Sequence, residues 1–165
     1  MTWSELDADG TAWTIPGGRA KNGKEHIVPL SSQAQSILKD APRLENEDKD
    51  DASPFVFPGR GGAFNGFSKA KAALDAASGV KEWRLHDLRR TMATGLQRLG
   101  VRLEVTEAVL NHISGSRAGI VGIYQRHDYA AEKRAALTAW GEHITAIVET
   151  REASDNVISL EARSA

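Results

Sequence analysis

The chain has no cysteine. That excludes disulfides, thiolate nucleophiles and cysteine-ligated zinc, and leaves chemistry to hydroxyl, imidazole, carboxylate, amine and guanidinium groups. No apolar run is long enough to span a bilayer, and the opening stretch from Met1 to Gly10 lacks the basic-then-apolar layout of a signal peptide. A cytoplasmic location without a membrane partner is therefore expected. An excess of positive charge is missing too: 21 lysines and arginines face 22 acids, for a net charge of −1. Taken as a sum, that speaks against a nucleic-acid binder. Internal repeats, low-complexity segments and a His-Glu-x-x-His metal motif are all absent from the sequence. Neither a metal nor another cofactor is expected.

What is present fits one compact domain: 165 residues, 41 % hydrophobic and 26 % charged. The charge is unevenly spread. Between Lys81 and Arg102 lie six basic residues, whereas Glu45 to Asp51 holds five acids and one lysine. Two solvated faces would account for this. A local anion-binding surface diluted by a remote acidic loop would account for it as well.

The first thirty residues read as strands. Thr2–Leu6, Thr11–Ile15 and His26–Leu30 are short and rich in Trp, Thr, Ile and Val, with Asp9-Gly10 and Asn22-Gly23 as turn formers between them. Ser31 or Ser32 is expected to cap a helix through about Lys39, with Ile37 and Leu38 as its apolar contacts. Residues 41–54 form an acidic loop, and Phe55–Gly59 a short buried segment ending in a turn. Asn65 or Ser68 is expected to cap a helix through Ala77, whose apolar face is Phe67, Ala70 and Leu74. His86 to Leu99 carries Leu88, Met92 and Leu96 at helical spacing and closes on Gly100. Leu103–Asn111 is a further helix, Ser114–Gly119 a loop, and Ile120–Tyr124 an apolar helical turn. Asp128 caps a long helix to about Glu149, with Leu137, Trp140, Ile144 and Ile147 inward. The resulting class is α+β, mainly α, with a small N-terminal antiparallel sheet packed on a helical core.

His86 and Arg89 sit at i and i+3 near a helix N-terminus, where one face and the positive end of the helix dipole suit an anion. An arginine fork matches two phosphate oxygens, and an imidazole can donate or shuttle a proton. His112 follows Leu110-Asn111 at the end of the next helix, and Tyr124 closes the apolar stretch from Ile120. Singly, each has an ordinary explanation: a capping histidine, a surface arginine, a half-buried tyrosine, a solvated turn lysine at Lys21. Together they supply a phenol, a poor nucleophile at its resting pKa of about 10, with the cationic field it needs.

In order and spacing these residues resemble the catalytic domain of the tyrosine recombinases, the phage-type integrases, from about Trp3 to Trp140. The segment Ala20-Lys21-Asn22-Gly23-Lys24-Glu25-His26-Ile27-Val28-Pro29-Leu30 is similar to the family's lysine hairpin, His86-Asp87-Leu88-Arg89 to its central motif, Leu110-Asn111-His112 to its third element with Asn where Gly is common, and Ile123-Tyr124 to its nucleophile. Tyr129 fits the nucleophile position less well, since it follows Asp128 at a helix start.

The resemblance implies a catalytic set of Lys21, His86, Arg89, His112 and Tyr124, with Lys24 and Arg90 contacting DNA. It implies strand cleavage and rejoining at double-stranded DNA attachment sites through a 3′-phosphotyrosyl link, without ATP or metal. Residues 1–149 are expected to be the catalytic domain and 150–165 a C-terminal tail through which copies self-associate. The family pattern also has an arginine on a helix before the first strand; it has no counterpart here, so a truncated chain with little or no recombination activity is expected. A non-catalytic DNA-binding module, using His86–Asn111 as a helix-turn-helix, and a type IB topoisomerase-like enzyme are the alternatives.

Overall fold

The computed structural model describes residues 1–43, 53–60, 62–112 and 127–149. Among the described residues the architecture is α+β and mainly helical, with a small antiparallel hairpin and five helices.

Strands β1 (Ala12–Ile15) and β2 (His26–Pro29) pair antiparallel, with Trp13 opposite Val28 and Ile15 opposite His26. Gly10 and Gly23 take φ of +66° and +70°, the left-handed turns that Asp9-Gly10 and Asn22-Gly23 announce. The third expected strand is different. Trp3–Glu5 forms a 3-10 turn, with an isolated bridge on each side of it, Thr2 to Phe55 and Leu6 to Trp13.

Glu5 explains that departure. Its carboxylate accepts from the Thr2 backbone N–H at 3.0 Å, the Trp13 indole at 3.1 Å and Arg19 at 2.5 Å. Gathering three donors at one side chain needs a compact turn rather than an extended strand. Desolvation acts to raise the pKa of this carboxyl, but the bonds from Thr2, Trp13 and Arg19 outweigh it and hold the value at about 2.

Helix α1 (Ser32–Lys39) starts where Ser31 accepts from the Ala34 N–H, and buries Leu38 while Ile37 stays exposed. The segment after the acidic loop buries Val56 but exposes Phe57, then makes a two-residue ladder, β3 (Pro58–Gly59) with β4 (Gly62–Ala63). Helix α2 (Phe67–Ser78) is capped by Gly66 rather than by Asn65 or Ser68, which lets Phe67 set its ring edge-on to Phe64 at 5.1 Å. Its expected inward face is not covered: Phe67, Ala70 and Leu74 are all exposed.

Helices α3 (Leu85–Arg98), α4 (Leu103–Val109) and α5 (Ala130–Val148) carry the core, formed by Leu96, Val105, Val109 and Ala136 with Met92, Val101, Tyr129, Leu137 and Trp140 around them. Only the second half of α3 is buried, so Leu88 at its start is 61 % exposed despite sharing a stripe with Leu96. In the same way α5 buries Ala136 and packs Leu137 and Trp140, but its last turns outrun the core and Ile147 is 62 % exposed. The N-cap of α5 is Tyr129, at φ +54°, while the side chain of Asp128 accepts from the Ala130 N–H at 3.1 Å. The expected loop at 114–119, the expected helical turn at 120–124 and the C-terminal tail at 150–165 lie outside the described residues.

Gly95 is where α3 meets α5 most closely, since a methyl group there would overlap the Trp140 ring. Ala is worth about 1 kcal/mol more than Gly in a helix interior, whereas overpacking a core costs about 1–3 kcal/mol or more. Gly95→Ala is therefore expected to lower the urea midpoint, with a loss that exceeds the propensity gain. A raised midpoint would show that Trp140 is free to move aside.

Candidate functional site

The end of α4 organises this region. The last four carbonyls of an α-helix have no partner within it, and in α4 these belong to Glu107, Ala108, Val109 and Leu110. The His112 N–H bonds the Glu107 carbonyl at 2.9 Å and the Asn111 N–H bonds Ala108 at 3.3 Å, with Asn111 at φ +54°. This is a Schellman turn with Asn in the left-handed position that Gly most often fills. Gly100 ends α3 the same way, with Val101 bonded back to Leu96 at 3.0 Å.

The two remaining carbonyls are taken by side chains from elsewhere. His26 Nε2, at the start of β2, donates to Val109 at 3.2 Å. Arg89 Nη2, on α3, donates to Leu110. A guanidinium suits this place, since the negative end of the α4 dipole favours a cation. It has five N–H donors in all, so one bond to a carbonyl leaves the fork with capacity for an anion.

His86 lies one turn before Arg89 on α3 and is exposed. His112 follows the Asn111 turn and is exposed. Lys21 sits in the β1–β2 connection, in a turn closed by the Gly23 N–H on the Ala20 carbonyl at 2.9 Å. Its neighbour Asn22 donates from Nδ2 to Asn111 Oδ1 at 2.8 Å, tying this turn to the end of α4. Lys24 is exposed, as is Arg90, which pairs with Asp87 at 3.4 Å. Asp87 also accepts the Arg84 backbone N–H at 2.9 Å, which anchors the first turn of α3 and depresses the carboxyl pKa. Tyr124 lies outside the described residues.

The sequence pattern marks the hairpin by Lys21 and gives no signal for His26 or Lys133. His26 is buried, and desolvation lowers its pKa first, then the Lys133 and Arg89 cations, against the opposing bond to Val109. Lys133, from α5, is 6 % exposed and donates to the Ile27 carbonyl at 2.9 Å. Strand alternation puts His26 opposite in facing to Ile27, yet hydrophobicity would turn Ile27 inward. The pattern pointed the wrong way because the inward histidine has a helix end to bond.

Comparison with known proteins identifies the family. Residues 1–131 match the model of the phage integrase family. The chain belongs to the phage integrase family. It is 30 % identical over 146 residues to prophage integrase IntA of Escherichia coli (strain K12), covering 87 % of this chain and 34 % of that protein. Identity to prophage integrase IntZ of the same organism is 28 % over 150 residues, covering 88 % of this chain and 35 % of that protein. The chain thus spans about a third of the length of these curated relatives. No solved structure matches it. No helix among the described residues is long and apolar enough to cross a membrane.

The bonds at the end of α4 have measurable consequences for this integrase-family chain. Since the folded pKa of His26 lies below its ordinary 6.5, the folded state binds fewer protons than the unfolded one as pH falls past that value. Stability is expected to be full above about pH 6.5 and to decline below it; His26→Gln, which keeps a donor for Val109 without titrating, should flatten that slope in denaturation measured against pH. Arg89→Ala strips a buried carbonyl of its partner and is expected to cost about 1–3 kcal/mol of stability. An unchanged urea midpoint for Arg89→Ala would mean that water replaces the guanidinium freely.

Proposed function

We propose that this chain supplies the catalytic part of a site-specific recombinase that cuts and rejoins double-stranded DNA through a 3′-phosphotyrosyl intermediate. The observation that carries the reading is Arg89 held on the Leu110 carbonyl, with His86 one turn before it and the Asn111-His112 turn beside it. An immobilised guanidinium matches a non-esterified phosphate edge, and fixing that donor beforehand removes reorganisation from the reaction step; His86 and His112, both exposed, are the imidazoles assigned beside it.

In this scheme the Tyr124 oxygen attacks phosphorus, the bond to the 5′ oxygen breaks, and Lys21 delivers a proton to that departing oxygen. Arg89 carries the charge that builds on the non-bridging oxygens, and His86 and His112 position the phosphate and assist the proton released by the phenol. Attack by a 5′-hydroxyl on the phosphotyrosine reverses the bond changes and reseals the strand, so the phosphoester bond is conserved and no nucleotide is consumed. Lys24 and Arg90 add backbone contacts to DNA, and copies self-associate on it through the C-terminal tail.

Tyr124→Phe tests the assignment on nicked attachment-site DNA, with covalent protein–DNA adduct and duplex affinity measured side by side. The expected result is a covalent adduct that the substitution abolishes while affinity stays within about twofold, because one phenolic oxygen contributes little to a surface dominated by phosphate contacts. A non-catalytic binding module would form no adduct in either protein. Relaxation of supercoiled DNA irrespective of sequence would instead assign a topoisomerase-like activity.

A further inference from the structure

Position 111 meets two demands, and glycine would satisfy only one. The left-handed backbone at φ +54° is open to Gly or Asn. Only Asn offers an acceptor, and Asn111 Oδ1 receives the Asn22 amide at 2.8 Å across 89 residues of sequence. Asn22 uses the other end of its side chain as well, accepting the Lys24 backbone N–H at 3.0 Å. Both side chains are half-buried, and the turn they join is tightly folded: a methyl on Gly17 would meet the Gly23 carbonyl at 2.5 Å. Lys21 and Lys24 themselves are exposed.

We propose that Asn22 and Asn111 form a latch between the lysine turn and the end of α4, and that both act as positioning residues for the phosphate site. An amine on a four-carbon stem is a poor proton donor unless the backbone beneath it is held still. The hairpin is fixed at its strand end by His26 on Val109 and Lys133 on Ile27, but those bonds sit five or more residues beyond Lys21 in the chain. The Asn22–Asn111 bond acts one residue from Lys21 and one residue from His112, and so sets the distance between them. The role given to Lys21 rests on the recombinase reading; the latch itself does not.

The test uses the full chain labelled with nitrogen-15. Asn111→Gly keeps the left-handed turn and removes the acceptor; Asn111→Asp keeps both. Asn111→Gly is expected to lower the heteronuclear NOE of Lys21, Asn22, Gly23 and Lys24 and to speed exchange of the Lys24 amide about two- to tenfold, the range for one net hydrogen bond. Leu110 and His112 should be unaffected, and Asn111→Asp should restore the wild-type pattern. Unchanged turn amides in Asn111→Gly would overturn the latch. So would equal loosening of His112, since position 111 would then act only on its own turn.

A second measurement addresses positioning, using a random-sequence duplex of about 20 base pairs at low salt, where phosphate contacts dominate affinity. Lys21→Ala is expected to reduce the slope of log affinity against log salt by about 1, and to cause no further loss once Asn111→Gly is present. Independent, additive losses would overturn the positioning role. If Lys21→Ala leaves duplex affinity untouched in the parent chain, the reading of Lys21 as a phosphate-side amine fails, while the NOE comparison still decides the latch.

Discussion

The end of α4 leaves four backbone carbonyls that water or protein must satisfy, and this chain satisfies every one with protein. Two are closed locally by the Asn111 turn, one by His26 and one by Arg89. Each external donor comes from a different part of the chain, so the requirement to pair these groups pulls β2 and α3 onto one point. Leaving a buried carbonyl bare costs more than making its bond yields. That asymmetry, rather than any strong attraction, fixes where the hairpin lies relative to the helices.

The same bonds limit what the site can tolerate. Arg89 caps α4 through the Leu110 carbonyl and is, in the proposed function, also the phosphate-holding cation, so under that proposal its loss affects folding together with phosphate chemistry. The histidine and lysine that brace the hairpin divide their work differently. His26 is kept neutral by burial and by the nearby Lys133 and Arg89 cations, which suits it to bond a carbonyl without adding charge. Lys133 spends its amine on the Ile27 carbonyl and so keeps α5 against β2. Among the residues of the proposed site, positive charge available to an anion is left at the exposed Lys21 and Lys24 and at the remaining donors of Arg89.

Local chemistry was readable wherever one residue decides its own backbone angles. Ser31 starts α1, and Gly10, Gly23 and Gly100 mark left-handed turns, because each effect depends on the residue and its immediate neighbours. Apolar spacing was less informative. Leu88 and Leu96 lie on one stripe, as do Leu137 and Ile144, and the spacing correctly marked helices in both cases. It did not say how far a neighbouring helix extends to cover them, and so Leu88, Ile144, Phe67 and Leu74 remain exposed. The 3-10 turn at Trp3–Glu5 was hidden for a related reason: Glu5 draws donors from Trp13 and Arg19, and no local preference at Glu5 contains them.

From residue order alone came the family, the helical character, and the motif positions at Lys21, His86, Arg89 and His112, since motifs record which chemical groups are present and in what sequence. Tertiary structure alone decided that Asn111 replaces glycine with an added bond to Asn22, that Arg89 is anchored before any ligand arrives, and that His26 turns inward in preference to Ile27. Those outcomes depend on unpaired groups meeting across 21 to 106 residues of chain. A partner at that separation changes which side chain is cheapest to bury, and nothing in the local sequence carries that information.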